Sequence, residues 1–196
     1  MSTLERRLTT IMFTDMVGYS ALSQQQEALA LELLEEHRAI LRSAFVRHGG
    51  PAIEAVGDGF FAEFPSALAG VQCAVDIQQT LGERNAVQSP ERQIRVRIGV
   101  HLGDAVYCDN HVHGDGVNIA ARIESLATPG GICLSEDVAR QIQNKVDLPL
   151  RKLGKGELKN IRLPVDIKTI GQELGVRYVL EGSVRKGPTE SGSPPS

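Results

Sequence analysis

The sequence predicts an α+β domain with a ferredoxin-like βαββαβ core and additional C-terminal α/β elements. Three observations carry that prediction. Short apolar runs rich in β-branched residues alternate with long stretches of helical spacing. Two of those runs are separated only by Gly57-Asp58-Gly59, a hairpin signal. The resulting order of strand, helix, hairpin, helix and strand is the split βαβ plan.

Taken in order, Leu8 to Phe13 reads as a first, largely buried strand. After Ser23 a long amphipathic helix carries Leu31, Leu34, Ile40, Leu41 and Phe45 and closes on Gly49-Gly50. The hairpin strands are 52–56 and 60–64. A second helix over about 66–84 places Leu68, Val71, Val75 and Ile77 on its apolar face. Ile94, Val96, Ile98 and Val100 then alternate with Arg95, Arg97 and Gly99, and Gly103-Asp104 reads as a break that divides this segment into two strands. A helix from about Gly116 to Ala127 is ended by Pro129-Gly130-Gly131. "ICLS" is a short strand and 136–145 a helix, with closing strands at 149–153 and 161–170 around the loop "GKGELKN". These elements assign 1–170 to one domain. From Gly171 the pattern changes, so 171–187 reads as the start of a further module and 188–196 as a disordered tail.

Composition removes several classes of function. A net charge of −3 supplies no positive field for nucleic acid, and the absence of Trp with few Tyr and Phe removes base-stacking platforms. Cys73, Cys108 and Cys133 are odd in number and lack metal-ligand spacing, as expected of reduced thiols. The N-terminus has no long apolar run after Glu5, Arg6 and Arg7, and no segment reaches the length of a membrane span. A cytoplasmic domain is the expectation.

Within that frame, two acids stand at the ends of apolar strands. Asp15 follows "IMFT" and precedes a turn at Gly18; Asp58 sits at the hairpin tip. Turn chemistry accounts for Asp58 taken alone, and capping accounts for Asp15 taken alone. Together, in neighbouring strands, they suit one or two Mg2+ or Mn2+ ions beside a polyphosphate. The turn "MVGYS" follows directly, and the N–H groups of Val17, Gly18, Tyr19 and Ser20 are candidates for phosphate oxygens. Asn118 and Arg122 lie four residues apart and share a helix face, with Ile119 and Ile123 on an adjacent face as anchors. That pair is either a solvated polar face or an amide and a guanidinium aimed at a ribose and a phosphoryl group.

"FTDMVGYS", "GDGFFAEF" and "GDGVNIAARIE" resemble the three signature segments of class III nucleotide cyclases, the adenylate and guanylate cyclase family, in order and spacing from about residue 7 to 170. The resemblance implies the class III fold and a head-to-tail homodimer with two interfacial active sites. It also implies two Mg2+ or Mn2+ ions per site, on Asp15 and Asp58 of one subunit with the Met16 backbone as a further donor. Asn118 and Arg122 of the other subunit would orient the ribose and stabilise the pentavalent phosphorus. It puts a lysine on the terminal phosphates, with Lys155 the candidate and Lys152 the fallback, although a solvated loop lysine explains either.

Two positions depart from the adenylate pattern. Glu54 stands where the resemblance implies lysine, and His111 where it implies aspartate or threonine. Glu54 can accept from the guanine N1 and N2 donors while an imidazole N–H of His111 donates to the C6 oxygen, which leans the reading towards GTP over ATP. The opposing account is that both positions have drifted. A nucleotide-binding dimerisation module with little turnover is therefore the second functional reading. A diguanylate-type cyclase is a third, and it lacks its expected glycine-glycine-acid-acid hairpin here.

Overall fold

The computed structural model describes residues 5–50, 52–108, 111–147, 150–156 and 165–170, with the backbone alone for 52–56, 108, 111, 152, 154–156 and 165–170. The predicted modules beyond residue 170 lie outside this description. The strands are β1 (Glu5–Met16), β2 (Ala52–Val56), β3 (Gly59–Phe64), β4 (Val96–Cys108), β5 (His111–His113), β6 (Ile132–Ser135), β7 (Leu150–Gly156) and β8 (Val165–Ile170). The helices are α1 (Tyr19–Gln25), α2 (Glu27–Arg47), α3 (Ala67–Ala86), α4 (Asp115–Ser125) and α5 (Glu136–Ile142), with a 3-10 turn at Pro90–Arg92.

One sheet runs β2-β3-β1-β4-β6-β8-β7, with β5 paired to β4. β1 lies antiparallel between β3 and β4, and β2 is antiparallel to β3, which is the predicted ferredoxin-like arrangement. β6, β8 and β7 extend it beyond β4 as the additional C-terminal elements.

On one face α2, α3 and α5 bury the main core. Leu33, Leu41, Phe45, Ile77 and Leu81 are enclosed there, and each contributes roughly 1.5–3 kcal/mol over an exposed position. Helical spacing puts Leu33, Leu34, His37, Leu41, Ala44 and Phe45 of α2 inward. α3 starts at Ser66, whose hydroxyl accepts from the Ala69 N–H at 3.1 Å, a cap worth about 1 kcal/mol. Arg84 joins α3 to Glu36 of α2 at 2.6 Å, and Arg92 of the 3-10 turn pairs with Glu32 of the same helix.

The other face is covered by α4, which lies directly on β4. A Cβ at Gly99 would meet the Glu124 backbone nitrogen at 2.3 Å, so only glycine permits this approach. Beside the helix, Ile11, Phe61 and Ala105 form a smaller apolar cluster with Ala120, and Phe13, Tyr107, Val112 and Val117 are only partly buried around it.

Four sequence expectations are corrected. β4 is a single strand through Gly103-Asp104, because β1 pairs with it along its length, from Met16 opposite Val96 to Glu5 opposite Tyr107. Gly103 marks the approach of α4, since a Cβ there would stand 3.1 Å from the Gly116 Cα. Leu8 and Leu31, read as core, are exposed. The helix expected over 136–145 ends at Ile142, and "GKG" of the expected loop belongs to β7.

Candidate active site

β1 delivers Asp15 to the end of the sheet, and the chain then turns through Gly18 (φ 79°) into α1. The hairpin delivers Asp58 through the turn at Gly57 (φ 63°). Two contacts fix one acid against the other. A Cβ on Gly59 would lie 1.9 Å from the Thr14 carbonyl oxygen, so β3 starts in tight backbone contact with the end of β1. The Phe60 N–H then donates to the Thr14 hydroxyl at 2.9 Å, in a buried position.

The electrostatics register this proximity. Burial first, and then the charge of Asp15, raise the Asp58 pKa, against its backbone hydrogen bond and the positive charge of Arg97. Arg97 stands directly opposite Asp15 on β4 and donates from Nη2 to Asp15 Oδ2 at 2.7 Å. Its Nε lies 3.5 Å from Glu124 Oε1 on α4, and both of those atoms are buried without a hydrogen-bond partner. Burial, then Asp15 and also Asp58, push the Glu124 carboxyl up to about 7, with Arg97 opposing. Three acids thus share one guanidinium. Among the described residues, no group of three or more His, Cys, Asp or Glu side chains is arranged to hold a metal ion.

The sequence reading passed over Arg97 and Glu124. Arg97 had a signal, since it belongs to the strand whose polar residues alternate with Val96 and Ile98. Glu124 lies two residues beyond Arg122, and its role depends on the packing of α4.

Asn118 and Arg122 both lie on α4, Asn118 exposed and Arg122 with Nη1 buried and unpartnered. Among the described residues, no hydrogen bond or ion pair links either residue to Asp15 or Asp58. Of the candidate phosphate cradle, the Val17 N–H is already engaged by the Arg95 carbonyl at 2.8 Å, because β4 extends its pairing past Met16. Gly18, Tyr19 and Ser20 stand at the start of α1, which no side chain caps. The β2 register puts Glu54 opposite Phe61, and that of β5 puts His111 opposite Cys108; both side chains lie outside the description. Lys152 and Lys155 are on β7 opposite Lys168 and Asp166, at the sheet edge away from the hairpin rather than in a loop, and their side chains are likewise outside it.

Residues 5–180 match the family described as the adenylate and guanylate cyclase catalytic domain. This chain belongs to that family. It is 38% identical over 167 residues to the putative adenylate cyclase 3 of Rhizobium meliloti (strain 1021), covering 85% of the chain and 28% of that protein. It is 30% identical over 168 residues to the adenylate cyclase of Anabaena cylindrica, covering 76% of the chain and 34% of that protein. The chain thus spans about a third or less of these relatives' length. Its fold matches the crystal structure of an adenylate/guanylate cyclase/hydrolase from Silicibacter pomeroyi with a TM-score of 0.82 and 35% identity, over 87% of this chain and 100% of that one. No helix of this cyclase domain is long and apolar enough, among the described residues, to cross a membrane.

Proposed function

We propose that the chain converts a purine nucleoside triphosphate into its 3′,5′-cyclic monophosphate and pyrophosphate, as a head-to-tail homodimer with two interfacial active sites. The observation that carries this reading is the meeting of Asp15 and Asp58 at the end of the sheet, in a family whose members are named as cyclases. Two carboxylates on fixed strand ends, with one raised partly by the other, fit hard divalent cations. Asp15, Asp58 and the Met16 backbone would hold two Mg2+ or Mn2+ ions. When bound, such ions lower the pKa of the ribose 3′-hydroxyl and offset charge on the α-phosphate.

The remaining roles belong to the chain. Arg97 leaves Asp15 for Glu124 and the incoming phosphates, while Gly18, Tyr19 and Ser20 offer N–H groups to them. Asn118 orients the ribose, and Arg122 stabilises charge on the five-coordinate phosphorus as the 3′-oxygen bonds to it and pyrophosphate departs. On this reading Asn118 and Arg122 act across the interface, on the acids of the other subunit, with Lys155 on the terminal phosphates. The partly buried Phe13, Tyr107, Val112 and Val117, packed around buried Phe61, supply an apolar surface for the second copy. A cytoplasmic setting provides the nucleotide and keeps Cys73 and Cys133 reduced.

Hydrogen-bond matching of Glu54 and His111 favours GTP. The second reading, ATP, is favoured by the names of the Rhizobium meliloti and Anabaena cylindrica relatives. The test is product formation by the purified chain with Mn2+, offering ATP and GTP separately and then together. Dominant cyclic GMP supports the guanine reading, and dominant cyclic AMP replaces it while leaving cyclisation intact. No product from a folded dimer overturns the enzyme in favour of a nucleotide-binding dimerisation module.

A further inference from the structure

Among the described residues, the hairpin that carries Asp58 is anchored to β1 through β3 and has no sheet neighbour on its β2 side. Among the described residues β2 pairs only with β3, and the turn at Gly57 joins the two strands. Helix α2 supplies a further support from the face of the sheet, where its core residues share one cluster with Phe60. The rings of His37 and Phe45 pack on Phe60 at 6.0 and 5.6 Å, and the Arg42 guanidinium lies 5.7 Å from the same ring. One turn along from Glu35, Arg38 donates from Nη1 to the Glu35 carboxylate at 2.8 Å and from Nη2 to the Gly57 carbonyl at 3.3 Å. Arg38 is thus held by its own helix and reaches the residue immediately before Asp58. α2 is in turn tied to α3 and the 3-10 turn through Glu36 and Glu32, so the support is itself fixed.

We propose that Arg38 is a positioning residue for the metal site: its bond to the Gly57 carbonyl sets the turn on which Asp58 stands, so that α2 determines how well Asp58 meets Asp15 around a divalent ion. This rests on the reading of Asp58 as a metal ligand. Arg38 would act through the Gly57 carbonyl and not on the ion or the nucleotide itself. Loss of its bond therefore costs metal affinity before it costs the chemical step, and excess metal compensates.

The experiment measures Mn2+ binding to the whole chain without turnover, by loss of the free-ion electron paramagnetic resonance signal, beside cyclase activity as a function of Mn2+. One partly exposed charged hydrogen bond predicts a Mn2+ dissociation constant about three- to tenfold higher in Arg38→Ala. Its turnover returns close to the parent value at saturating Mn2+, and Arg38→Lys, which keeps one donor, falls between. Arg47→Ala is the control for general loosening of α2. It removes the 2.8 Å pair with Asp76 elsewhere on that helix, and should lower the melting temperature with Mn2+ affinity unchanged.

Parent-like Mn2+ binding in Arg38→Ala, with Asp58→Ala impaired, overturns the role of Arg38 and leaves the metal assignment standing. Equal weakening in Arg38→Ala and Arg47→Ala also overturns it, since the effect is then merely structural. If Asp58→Ala itself binds Mn2+ like the parent, the metal reading falls and the Arg38 proposal falls with it.

Discussion

His37 predicts a specific acid sensitivity. The ring is fully buried on α2 beside Phe60, and neither nitrogen has a hydrogen-bond partner. Burial, and then the charge of Arg38, lower its pKa from 6.5 to about 4. Above pH 6.5 the imidazole is neutral in both the folded and the unfolded chain, and it adds no pH dependence. As pH falls from 6.5 towards 4, the unfolded chain takes up a proton that the folded chain refuses. Stability then drops by about 1.4 kcal/mol per pH unit, to a total of roughly 3 kcal/mol.

Other groups act in the same window. His101, lowered to about 4 by burial with Asp137 opposing, adds a second loss of the same sign. Glu124, raised to about 7, runs the other way, because the folded chain keeps a proton that the unfolded chain releases between pH 4.5 and 7. Asp58, also raised, acts in the same direction as Glu124, so the parent chain shows a slope shallower than that of two protons. His37→Leu isolates the single term, since the other groups cancel in the difference. Urea unfolding followed by circular dichroism from about pH 7.5 to pH 4.5 is the assay. The variant should match or modestly exceed the parent at neutral pH, because an unpartnered polar group is removed. It should gain roughly 2–3 kcal/mol on the parent by pH 4.5. A difference that stays flat across that range would refute the assignment of a buried, neutral His37.

Gly59→Ala forces a Cβ into the Thr14 carbonyl and must push β3 from β1, so Mn2+ binding should weaken more than tenfold, or by more than about 1.4 kcal/mol, measured by titration calorimetry with folding checked by circular dichroism. Arg97→Met frees Asp15 from its resident cation, so Mn2+ alone should raise the melting temperature of the variant more than that of the parent; an equal shift would count against competition between guanidinium and metal. Mixing inactive Asp58→Ala and Arg122→Ala chains should restore about a quarter of parent activity, because random pairing makes half the dimers mixed, each with one of two sites intact. No recovery from confirmed mixed dimers would contradict placement of the two residues in opposite subunits.

The parts of this molecule legible in the sequence are those set by local chemistry. The alternation around Ile98 and Val100, the glycines flanking Asp58 and the helical spacing through Leu41 and Phe45 each fix an element without reference to its neighbours. The misread parts depend on partners distant in sequence. Gly103-Asp104 looks like a break until β1 is laid beside it, and Leu8 looks buried until β1 is seen to run past its pairing with β3. Val17 looks free until Arg95 takes its N–H. Arg97 is the clearest case. On its own strand it is one polar residue in an alternating pattern, and only the pairing of β4 with β1, eighty-two residues apart, sets it against Asp15.

That pairing bears on the proposed reading of these acids as cation ligands rather than merely structural ion pairs. Asp15, Asp58 and Glu124 feel one another's charge and share Arg97, so the cluster carries more negative than positive capacity. A cluster built for stability would supply a second arginine, or would replace Glu124 with an apolar residue of similar volume, since buried ion pairs seldom outperform such packing. Neither is found. Instead Asp58 and Glu124 are held with raised pKa values, Arg97 leaves its Nε unpaired 3.5 Å from an unpaired Glu124 oxygen, and the Asp15 side chain keeps 31% of its surface open. The arrangement is short of positive charge at the sheet end where Asp15 and Asp58 meet, and it has a second carboxylate ready for the one guanidinium it holds. On the proposed reading divalent ions at Asp15 and Asp58 supply the missing charge, and Glu124 receives Arg97 when they bind.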